Sequence, residues 1–274
     1  MKYKMIVSDF DGTLLRSDHT VSEKSVKAIK KYIAKGGTFV VSTGRMALSL
    51  DGWKDYLGIS GQKVPVIGFN GSVVTDDDGN AIASTCIDAQ TAYKIVKKAM
   101  ELNVYCHIYD VKNVYIKNVN YINHDYTLIT GAPLKVVGRL DEFLLKHPDM
   151  MIPKIMLVIN PERREELERI YDEMNIEGVQ HVMSSKHFFE FVSTRAGKGN
   201  GMKMASEVLG IPLDEIIAIG DNQNDVSMIE MAGLGVAVGN AREELKAVAD
   251  YVAGTNNDDP IAEVIEKFCG GENE

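Results

Sequence analysis

The stretch MIVSDFDGTL, residues 5–14, carries the strongest structural signal in this chain. A short apolar run ends there in two carboxylates, Asp9 and Asp11, which are separated by one residue and followed by Gly12. Successive side chains of a strand point to opposite faces, so both aspartates can share one face while Phe10 occupies the other. Two carboxylates held this close repel each other, and they persist most readily beside a cation, a shared proton or a reaction. This strand end is therefore the first candidate for a functional site.

The chain on both sides of this stretch alternates between strand and helix patterns. Up to about residue 70 the pattern predicts strands at Lys4–Ser8, Thr38–Ser42 and Val66–Phe69 and helices at Ser22–Lys35 and Met46–Leu57. Later it predicts strands at Ile216–Ile219, Gly235–Val238 and Tyr251–Val252 and helices at Gly199–Leu209, Val226–Met231, near Arg242 and up to Phe268. Short apolar strands separated by helices of this length indicate a parallel sheet.

The middle of the chain has a different character. A hairpin pattern spans Ser72–Thr75 and Ala81–Ser84, and an Asp-Gly turn lies between its two strands. Strand and helix patterns then follow in a less regular order. We predict an α/β fold in which residues 1–83 and 193–274 form one parallel-sheet domain and residues 84–192 form an inserted α+β domain.

The inserted segment carries two further expectations. A charged amphipathic helix is predicted to begin at Asn160-Pro161, and its side chains expected to face inward are Leu167, Ile170 and Met174. Four of the five histidines in the segment have no paired ligand spacing, and we expect them to be structural or at most to lie near the leaving group: His107, His124, His181 and His187.

Composition and charge exclude several classes of function. The 274 residues are 45% hydrophobic and 25% charged, and the formal net charge is −9. A nucleic-acid partner is not expected, because a phosphate backbone requires a basic footprint. A membrane partner is not expected either, because no apolar run approaches the ~20 residues of a membrane span. The three cysteines have no metal-ligand or disulfide spacing, and we expect a cytoplasmic protein with reduced thiols.

Polar residues cluster where the predicted parallel strands end. Asp9 and Asp11 end the first strand, the sequence STGR at 42–45 ends the second, and DNQND at 221–225 ends a late one. Ligands of open α/β sheets bind in the crevice at such strand ends, so residues about 200 positions apart can meet there. Lys198 precedes a predicted helix and can reach the same crevice.

This set of residue types points to phosphoryl chemistry. The carboxylates of Asp9, Asp11 and Asp221 are hard oxygen ligands of the kind that Mg²⁺ prefers. The Thr43 hydroxyl and nearby backbone N–H groups can hold phosphate oxygens, and Lys198 adds a positive charge. One aspartate can attack phosphorus to give an aspartyl-phosphate, and the second can donate and accept the proton.

These residues resemble the haloacid dehalogenase superfamily. The sequence DFDGT at 9–13 is similar to its first motif, Thr43 to its second, Lys198 to its third and GDNQND at 220–225 to its fourth. The finer pattern resembles the Cof-type phosphatases, and Asn70-Gly71 belongs to it. The resemblance covers the whole chain and implies a Rossmann-like core with a large inserted cap domain of the αββ type, which would act as a lid over the substrate.

The resemblance also implies a role for each residue. Asp9 would be the nucleophile and a Mg²⁺ ligand, and Asp11 would be the general acid and base and would ligate Mg²⁺ through its backbone carbonyl. Asp221 would be the third protein ligand of Mg²⁺, and Asp225 would orient metal-bound water or Lys198. The residues expected to hold the phosphoryl group are Phe10 through its backbone, Thr43, Gly44, Lys198 and Asn224, with Arg45 and Asn70 lining the same area.

Three functions remain in competition at the level of the sequence. The favoured one is a Mg²⁺-dependent phosphatase that acts on small phosphomonoesters, and the resemblance implies sugar phosphates. A phosphosugar mutase would return the phosphoryl group to another hydroxyl, and a receiver-like phospho-acceptor would retain it without turnover. A dehalogenase is disfavoured, because carbon–halogen cleavage needs no acid of the kind that Asp11 supplies. The physiological substrate and the oligomeric state are not indicated by the sequence.

Overall fold

The computed structural model describes residues 1–119 and 132–270. These residues belong to two compact units, of which one combines Met1–Ser84 with Gly197–Glu274 and the other is Thr85–Ala196. The division falls between residues 84 and 85 and between residues 196 and 197, whereas the sequence pattern put the boundaries after residues 83 and 192. Ser84 belongs with the first unit because it pairs with Val73 in a strand ladder.

Strands and helices alternate through most of the first unit. The strands are β1 (Met5–Asp9), β2 (Thr38–Ser42), β3 (Val66–Gly68), β4 (Val73–Thr75), β5 (Ala81–Ser84), β6 (Ile87–Asp88), β7 (Tyr105–Tyr109), β8 (Val114–Ile116), β9 (Leu134–Val136), β10 (Met151–Ile152), β11 (Ile155–Val158), β12 (Val179–Ser185), β13 (Phe188–Ser193), β14 (Ile216–Gly220), β15 (Leu234–Ala237) and β16 (Tyr251–Val252). The α-helices are α1 (Glu23–Ala34), α2 (Asp51–Leu57), α3 (Ala89–Glu101), α4 (Leu140–Lys146), α5 (Arg164–Met174), α6 (Lys198–Leu209), α7 (Val226–Met231), α8 (Glu243–Lys246) and α9 (Pro260–Phe268). Short 3₁₀ turns lie at Ala47–Leu50, Phe69–Gly71, Pro161–Arg163, Leu213–Glu215 and Gln223–Asp225.

The first unit is built on an eight-stranded sheet. Its strand order is β16-β15-β14-β1-β2-β3-β4-β5. The pairs from β16 to β3 are parallel, and the β3/β4 and β4/β5 pairs are antiparallel. All five residues of β1 are buried, as expected for a strand with parallel neighbours on both sides. The predicted α/β fold is confirmed, and β1 lies next to β14 although about 200 residues separate them in sequence.

The helix that follows β1 forms for reasons visible in its sequence. Ser22 is its N-cap, and the Ser22 hydroxyl accepts a hydrogen bond from the Ser25 N–H at 3.1 Å. Val26, Ile29 and Tyr32 lie on one face and are buried in the core of the first unit. This helix, α1, packs against α9, and α6 packs against α7.

The second unit has its own sheet and its own core. The strand order is β12-β13-β11-β7-β8-β9, and the ladders are antiparallel except for β8/β9. A separate two-stranded ladder joins β6 and β10. Alternate residues of β7, β11 and β13 share one hydrophobic cluster with side chains of α3, α4 and α5. The unit is therefore an α+β module, as predicted.

Two local expectations differ from the structure. The helix predicted over Met46–Leu57 is a 3₁₀ turn followed by α2, and Leu50 at the junction has φ −103° and ψ 3°. In α5 the fully buried side chains are Leu167 and Tyr171, whereas Ile170 is only half-buried. The spacing of four residues between Leu167 and Tyr171 fits the helical period, and the Tyr171 ring supplies an apolar surface although its hydroxyl is polar.

Two of the histidines and two of the thiols of the described chain are buried or paired within the protein. His107 is fully buried, and His181 Nε2 lies 2.8 Å from Asp172 Oδ1. His124 lies outside the described residues. Cys106 and Cys269 are buried thiols. No helix in residues 1–119 and 132–270 combines the length and apolar character that a bilayer crossing requires.

Candidate active site

Three parallel strands of the first unit end at the candidate site. Asp9 is the last residue of β1, Thr43 directly follows β2, and Asp221 directly follows β14. Because β1 lies between β2 and β14 in the sheet, the carboxyl ends of these strands are adjacent.

A buried lysine lies between two of the aspartates. Lys198 begins α6, and its side chain is only 1% exposed. Its ammonium Nζ donates to Asp9 Oδ1 and, at 2.5 Å, to Asp225 Oδ1. A lysine this deeply buried is stable only with carboxylate partners, since an unpaired buried charge is expensive.

The Asp225 carboxylate is held on both of its oxygens. Asp225 Oδ2 accepts the backbone N–H of Asp221 at 3.0 Å and that of Asn222 at 2.9 Å, while Oδ1 accepts from Lys198. The side chain is completely buried. Asp225 thus joins Lys198 to the chain that directly follows β14.

Asp221 lies against the loop that follows β1. Thr13 Oγ1 donates to Asp221 Oδ1 at 3.1 Å. Gly12 has φ +83°, and a Cβ on this residue would come within 2.8 Å of Asp221 Oδ2. Position 12 therefore requires glycine for two reasons, its left-handed backbone and the close approach of the Asp221 carboxylate.

Burial and mutual repulsion change the acidity of this cluster. Burial raises the pKa of the Asp9 carboxyl well above its usual range, against the opposing pull of Lys198, and the charges of Asp225 and Asp221 add to the increase. Burial likewise raises the pKa of Asp221. The pKa of Lys198 is raised as well, because Asp9 and Asp225 outweigh the effect of its burial. Three carboxylates around one ammonium leave excess negative charge, which a cation or a proton must offset.

Among the described residues, one group of acidic side chains can hold a metal ion. It consists of Asp9, Asp221 and Asp225, which each offer an oxygen within 4.8 Å of the other two. An all-carboxylate donor set suits a hard divalent cation such as Mg²⁺. The Asp225 oxygens are already engaged with Lys198 and two backbone N–H groups, so the carboxylates of Asp9 and Asp221 are better suited as ligands.

The second aspartate of the motif has a different environment. Asp11 is about half exposed, and Arg45 binds it through two parallel hydrogen bonds, from Nε to Oδ2 at 2.9 Å and from Nη2 to Oδ1. The Arg45 guanidinium also lies 5.5 Å from the centre of the Phe10 ring. The Asp11 side chain is thus separate from the buried cluster, and the structure brings it together with Arg45 rather than with Lys198.

The remaining predicted residues line the ends of β2 and β3. Thr43 is completely buried, and its Oγ1 accepts the Arg45 N–H at 3.1 Å. Asn224 Nδ2 donates to Asn70 Oδ1 at 2.9 Å, and a Cβ on Gly44 would lie 3.0 Å from that same oxygen. The structure therefore brings Thr43, Gly44, Arg45, Asn70 and Asn224 together.

The backbone at Asn70 is unusual. Phe69, Asn70 and Gly71 have φ values of +52°, +51° and +88°. A phenylalanine in the left-handed region is strained, and such strain occurs most often at functional sites. Gly71 is required here by close packing, because a Cβ would lie 2.0 Å from the carbonyl oxygen of Gly197, next to Lys198.

Sequence reasoning did not identify several contacts of the site. The hydrogen bond from Thr13 to Asp221, the pairing of Arg45 with Asp11 and the anchoring of Asp225 by the Asn222 N–H were not predicted. The Asn-x-x-Asp spacing at 222–225 is a capping-box pattern and was the one available signal.

Comparison with known proteins agrees with this geometry. A family model described as haloacid dehalogenase-like hydrolase matches residues 6–265. The Bacillus subtilis phosphatase YwpJ is 31% identical over 296 aligned residues, which cover 96% of this chain and 99% of the relative. A second Bacillus subtilis relative, the 5-amino-6-(5-phospho-D-ribitylamino)uracil phosphatase YitU, is 26% identical over 96% of this chain and 97% of its own.

Solved structures give the same result. The crystal structure of TM0651 from Thermotoga maritima matches with a TM-score of 0.85 and 31% identity, over 97% of both chains. A haloacid dehalogenase-like hydrolase from Bacillus subtilis matches with a TM-score of 0.77 and 30% identity, over 97% of this chain and 99% of its own. The expected resemblance is confirmed: the chain belongs to the haloacid dehalogenase-like hydrolases of the Cof-type phosphatase group and is a phosphoric monoester hydrolase.

Proposed function

We propose that this protein is a Mg²⁺-dependent phosphatase that transfers the phosphoryl group of a small phosphomonoester to Asp9 and then to water. The observation that carries the proposal is the buried pairing of Asp9 with Lys198 at the end of β1. One oxygen of the Asp9 carboxylate accepts a hydrogen bond from the Lys198 ammonium. The Asp221 carboxylate lies close to Asp9, and a cation is needed for both carboxylates to stay ionised.

The donor set fits Mg²⁺. The carboxylates of Asp9 and Asp221, with the backbone carbonyl of Asp11 that the family resemblance implies, are the residues that would hold the ion. When bound, Mg²⁺ would neutralise the negative charge of the cluster and of the transferring phosphoryl group. Lys198 and Asp225 would keep the Asp9 carboxylate oriented.

The covalent chemistry belongs to Asp9 and Asp11. A carboxylate oxygen of Asp9 attacks phosphorus while the ester P–O bond breaks, and Asp11 gives a proton to the leaving alkoxide. Asp11 then removes a proton from the water that attacks the phosphoaspartate, so that phosphate leaves and Asp9 is restored. Arg45 holds Asp11 in the structure described here, and this ion pair must open for Asp11 to transfer protons.

The phosphoryl oxygens need several donors. Lys198 provides charge, and the Phe10 and Gly44 backbone N–H groups together with the Thr43 hydroxyl provide hydrogen bonds. The bond from Asn224 to Asn70 joins the chain after β14 to the strained turn after β3, which supports a shared role of these amides in the same cradle.

The substrate class is proposed from the relatives. The name of YitU refers to a uracil compound that carries a phosphorylated ribityl chain, and a ribityl chain is a polyol. We propose sugar phosphates and similar phosphorylated metabolites as substrates of this chain. Relatives with phosphatase names favour hydrolysis over the mutase and the phospho-acceptor.

The proposal is tested by hydrolysis of p-nitrophenyl phosphate with Mg²⁺, with EDTA and after restoring Mg²⁺. Activity should disappear with EDTA and return with Mg²⁺, and Asp9→Asn should abolish both turnover and the acid-stable phosphoenzyme. Asp11→Asn should slow turnover strongly, by about 10²–10⁴-fold, yet leave Mg²⁺ binding nearly unchanged, because only its proton transfer is removed. Metal-independent activity, or full activity in Asp9→Asn, would contradict the proposal.

A panel of sugar phosphates distinguishes the phosphatase from the mutase. A phosphatase releases inorganic phosphate from each substrate, whereas a mutase yields an isomeric sugar phosphate with little free phosphate. Ranking the panel by kcat/KM would also identify the preferred substrate class.

A further inference from the structure

The loop Gly12–Leu15, which follows Asp9 and Asp11, is held by two asparagines from the far end of the sequence. Asn240 Nδ2 donates to the carbonyl oxygen of Gly12 at 2.8 Å. Asn256 Nδ2 donates to the carbonyl oxygen of Leu15 at 3.0 Å, and the Asn256 side chain is buried. Both ends of the loop are therefore attached to segments that follow β15 and β16.

The two asparagines are also joined to each other. Asn240 Oδ1 accepts the backbone N–H of Asn256 at 2.7 Å. The amide of Asn240 thus uses its donor for Gly12 and its acceptor for Asn256. With both ends of the amide engaged, its orientation is fixed, although the residue itself is exposed.

The chain just after Asn240 also binds the backbone of Asp221. The backbone N–H of Arg242, two residues after Asn240, donates to the carbonyl oxygen of Asp221 at 2.9 Å. We call the segment Asn240–Arg242 the bracket, because it holds the Gly12 loop with a side chain and Asp221 with a backbone group. These two partners are joined directly by the hydrogen bond from Thr13 Oγ1 to Asp221 Oδ1, and a Cβ at Gly12 would collide with the same carboxylate.

We propose that Asn240 is a positioning residue that sets the Asp221 carboxylate relative to Asp9 and thereby the affinity for Mg²⁺. The inference rests on the proposed function, since it assigns Mg²⁺ to this carboxylate pair. Asn240 touches neither carboxylate and acts through the Gly12 carbonyl. Loss of the Asn240 amide frees the loop to move away from Asp221, and groups that orient ligands in this way typically contribute a factor of about 10–100 in metal affinity or activity.

The central experiment measures Mg²⁺ binding to the metal-free protein by isothermal titration calorimetry, independently of activity. Asn240→Ala should raise the Kd for Mg²⁺ about 10-fold or more. At saturating Mg²⁺, its KM for p-nitrophenyl phosphate should stay close to that of the unmodified protein. Asn257→Ala is the matched control, because the Asn257 side chain is exposed and bonds Ser17 instead of the Gly12 loop. The control should bind Mg²⁺ normally.

Asn240→Asp tests the donor and the acceptor of the Asn240 amide separately. It keeps the oxygen that accepts the Asn256 N–H and removes the donor to Gly12. The new negative charge would by itself attract a cation, so a weaker Mg²⁺ affinity in this variant would point to the changed contact with the Gly12 carbonyl and not to the added charge.

A second pair of variants tests the bracket from its backbone side. Arg242 has φ −61°, which proline adopts, so Arg242→Pro removes the N–H that binds Asp221 without forcing φ. Arg242→Ala keeps the N–H and is the control. Arg242→Pro should weaken Mg²⁺ binding and Arg242→Ala should not.

The outcomes distinguish the two proposals. If the unmodified protein binds Mg²⁺ but Asn240→Ala and Arg242→Pro, folded as judged by circular dichroism, bind it equally well, the positioning role is wrong and the proposed function stands. If the unmodified protein binds no Mg²⁺, the proposed function and the positioning role both fail.

Discussion

At the scale of single residues, Gly12 shows how one backbone position controls the candidate site. Its φ is +83°, and a Cβ would meet Asp221 Oδ2 at 2.8 Å. Gly36 has nearly the same backbone, φ +89°, but nothing lies within 4 Å of the position of a Cβ. The two glycines therefore separate left-handed backbone strain from the displacement of a carboxylate.

We predict that Gly36→Ala lowers the free energy of unfolding by about 1–2 kcal/mol, which is the cost of the left-handed conformation, and leaves activity intact. Gly12→Ala should cost at least as much and should also reduce Mg²⁺-dependent turnover, because Asp221 must move. Urea unfolding and p-nitrophenyl phosphate hydrolysis measure the two effects. Normal turnover in Gly12→Ala would show that the close approach to Asp221 has no functional consequence.

The sequence indicates which residues meet at the site better than it indicates how they bond. The proximity of Asp9, Lys198 and Asp221 follows from strand ends in a parallel sheet, which apolar runs and helix lengths reveal. The pairing of Arg45 with Asp11 and the bond from Asn240 to Gly12 depend on rotamers and on loop paths. No sequence periodicity encodes rotamers or loop paths, so these two contacts are visible only in the folded structure.

At the scale of secondary-structure elements, the start of α3 provides a test that depends on pH. Asp88 is the N-cap, and its carboxylate accepts the N–H and the hydroxyl of Thr91, each at 2.8 Å. Burial alone would raise the pKa of Asp88, but the two bonds from Thr91 outweigh it and the pKa is lowered. A lowered pKa in the folded state means that the ionised carboxylate stabilises the fold.

This stabilisation is complete above the pKa of the unfolded state, near 3.9, and is lost as the pH falls through the lower pKa of the folded state. We predict that Asp88→Ala lowers stability by about 1 kcal/mol at pH 7. Asp88→Asn keeps the cap and loses only the charge, so its deficit against the unmodified protein should be smaller and should shrink as the pH is lowered. Thermal unfolding of the three proteins across this pH range measures both differences. A deficit of Asp88→Asn that is constant with pH would contradict the role of the charge.

Elements with strong periodicity were predictable, and short elements without it were not. The strand β2 and the helix α7 have the predicted bounds, because each is an apolar or amphipathic run between clear stop signals. The two-residue strands β6 and β10 form a ladder only because tertiary packing brings them together. Strands of two residues are too short to show a period, so the local sequence does not predict this β6/β10 ladder.

At the scale of the whole molecule, two separate hydrophobic clusters explain why the chain forms two units. One cluster joins residues from both ends of the sequence, and the other contains only residues of the segment 85–196. All the candidate catalytic residues belong to the first unit. The first unit therefore contains the candidate catalytic residues without the inserted segment 85–196. We propose that the inserted segment, which the family resemblance implies is a lid, selects substrates.

Deleting the inserted segment tests this separation. Ser84 ends β5, Gly197 precedes α6, and these two elements pack against each other within the first unit, so a short Gly/Ser linker can replace residues 85–196. We predict that the shortened protein folds, since its core is its own, and still hydrolyses p-nitrophenyl phosphate with Mg²⁺. Its kcat/KM values across a sugar-phosphate panel should become nearly equal, because the inserted segment, which the family resemblance implies acts as a lid, is no longer there to select substrates. The same deletion with Asp9→Asn is the control and should be inactive. An unchanged ranking of substrates would assign specificity to the parallel-sheet unit instead.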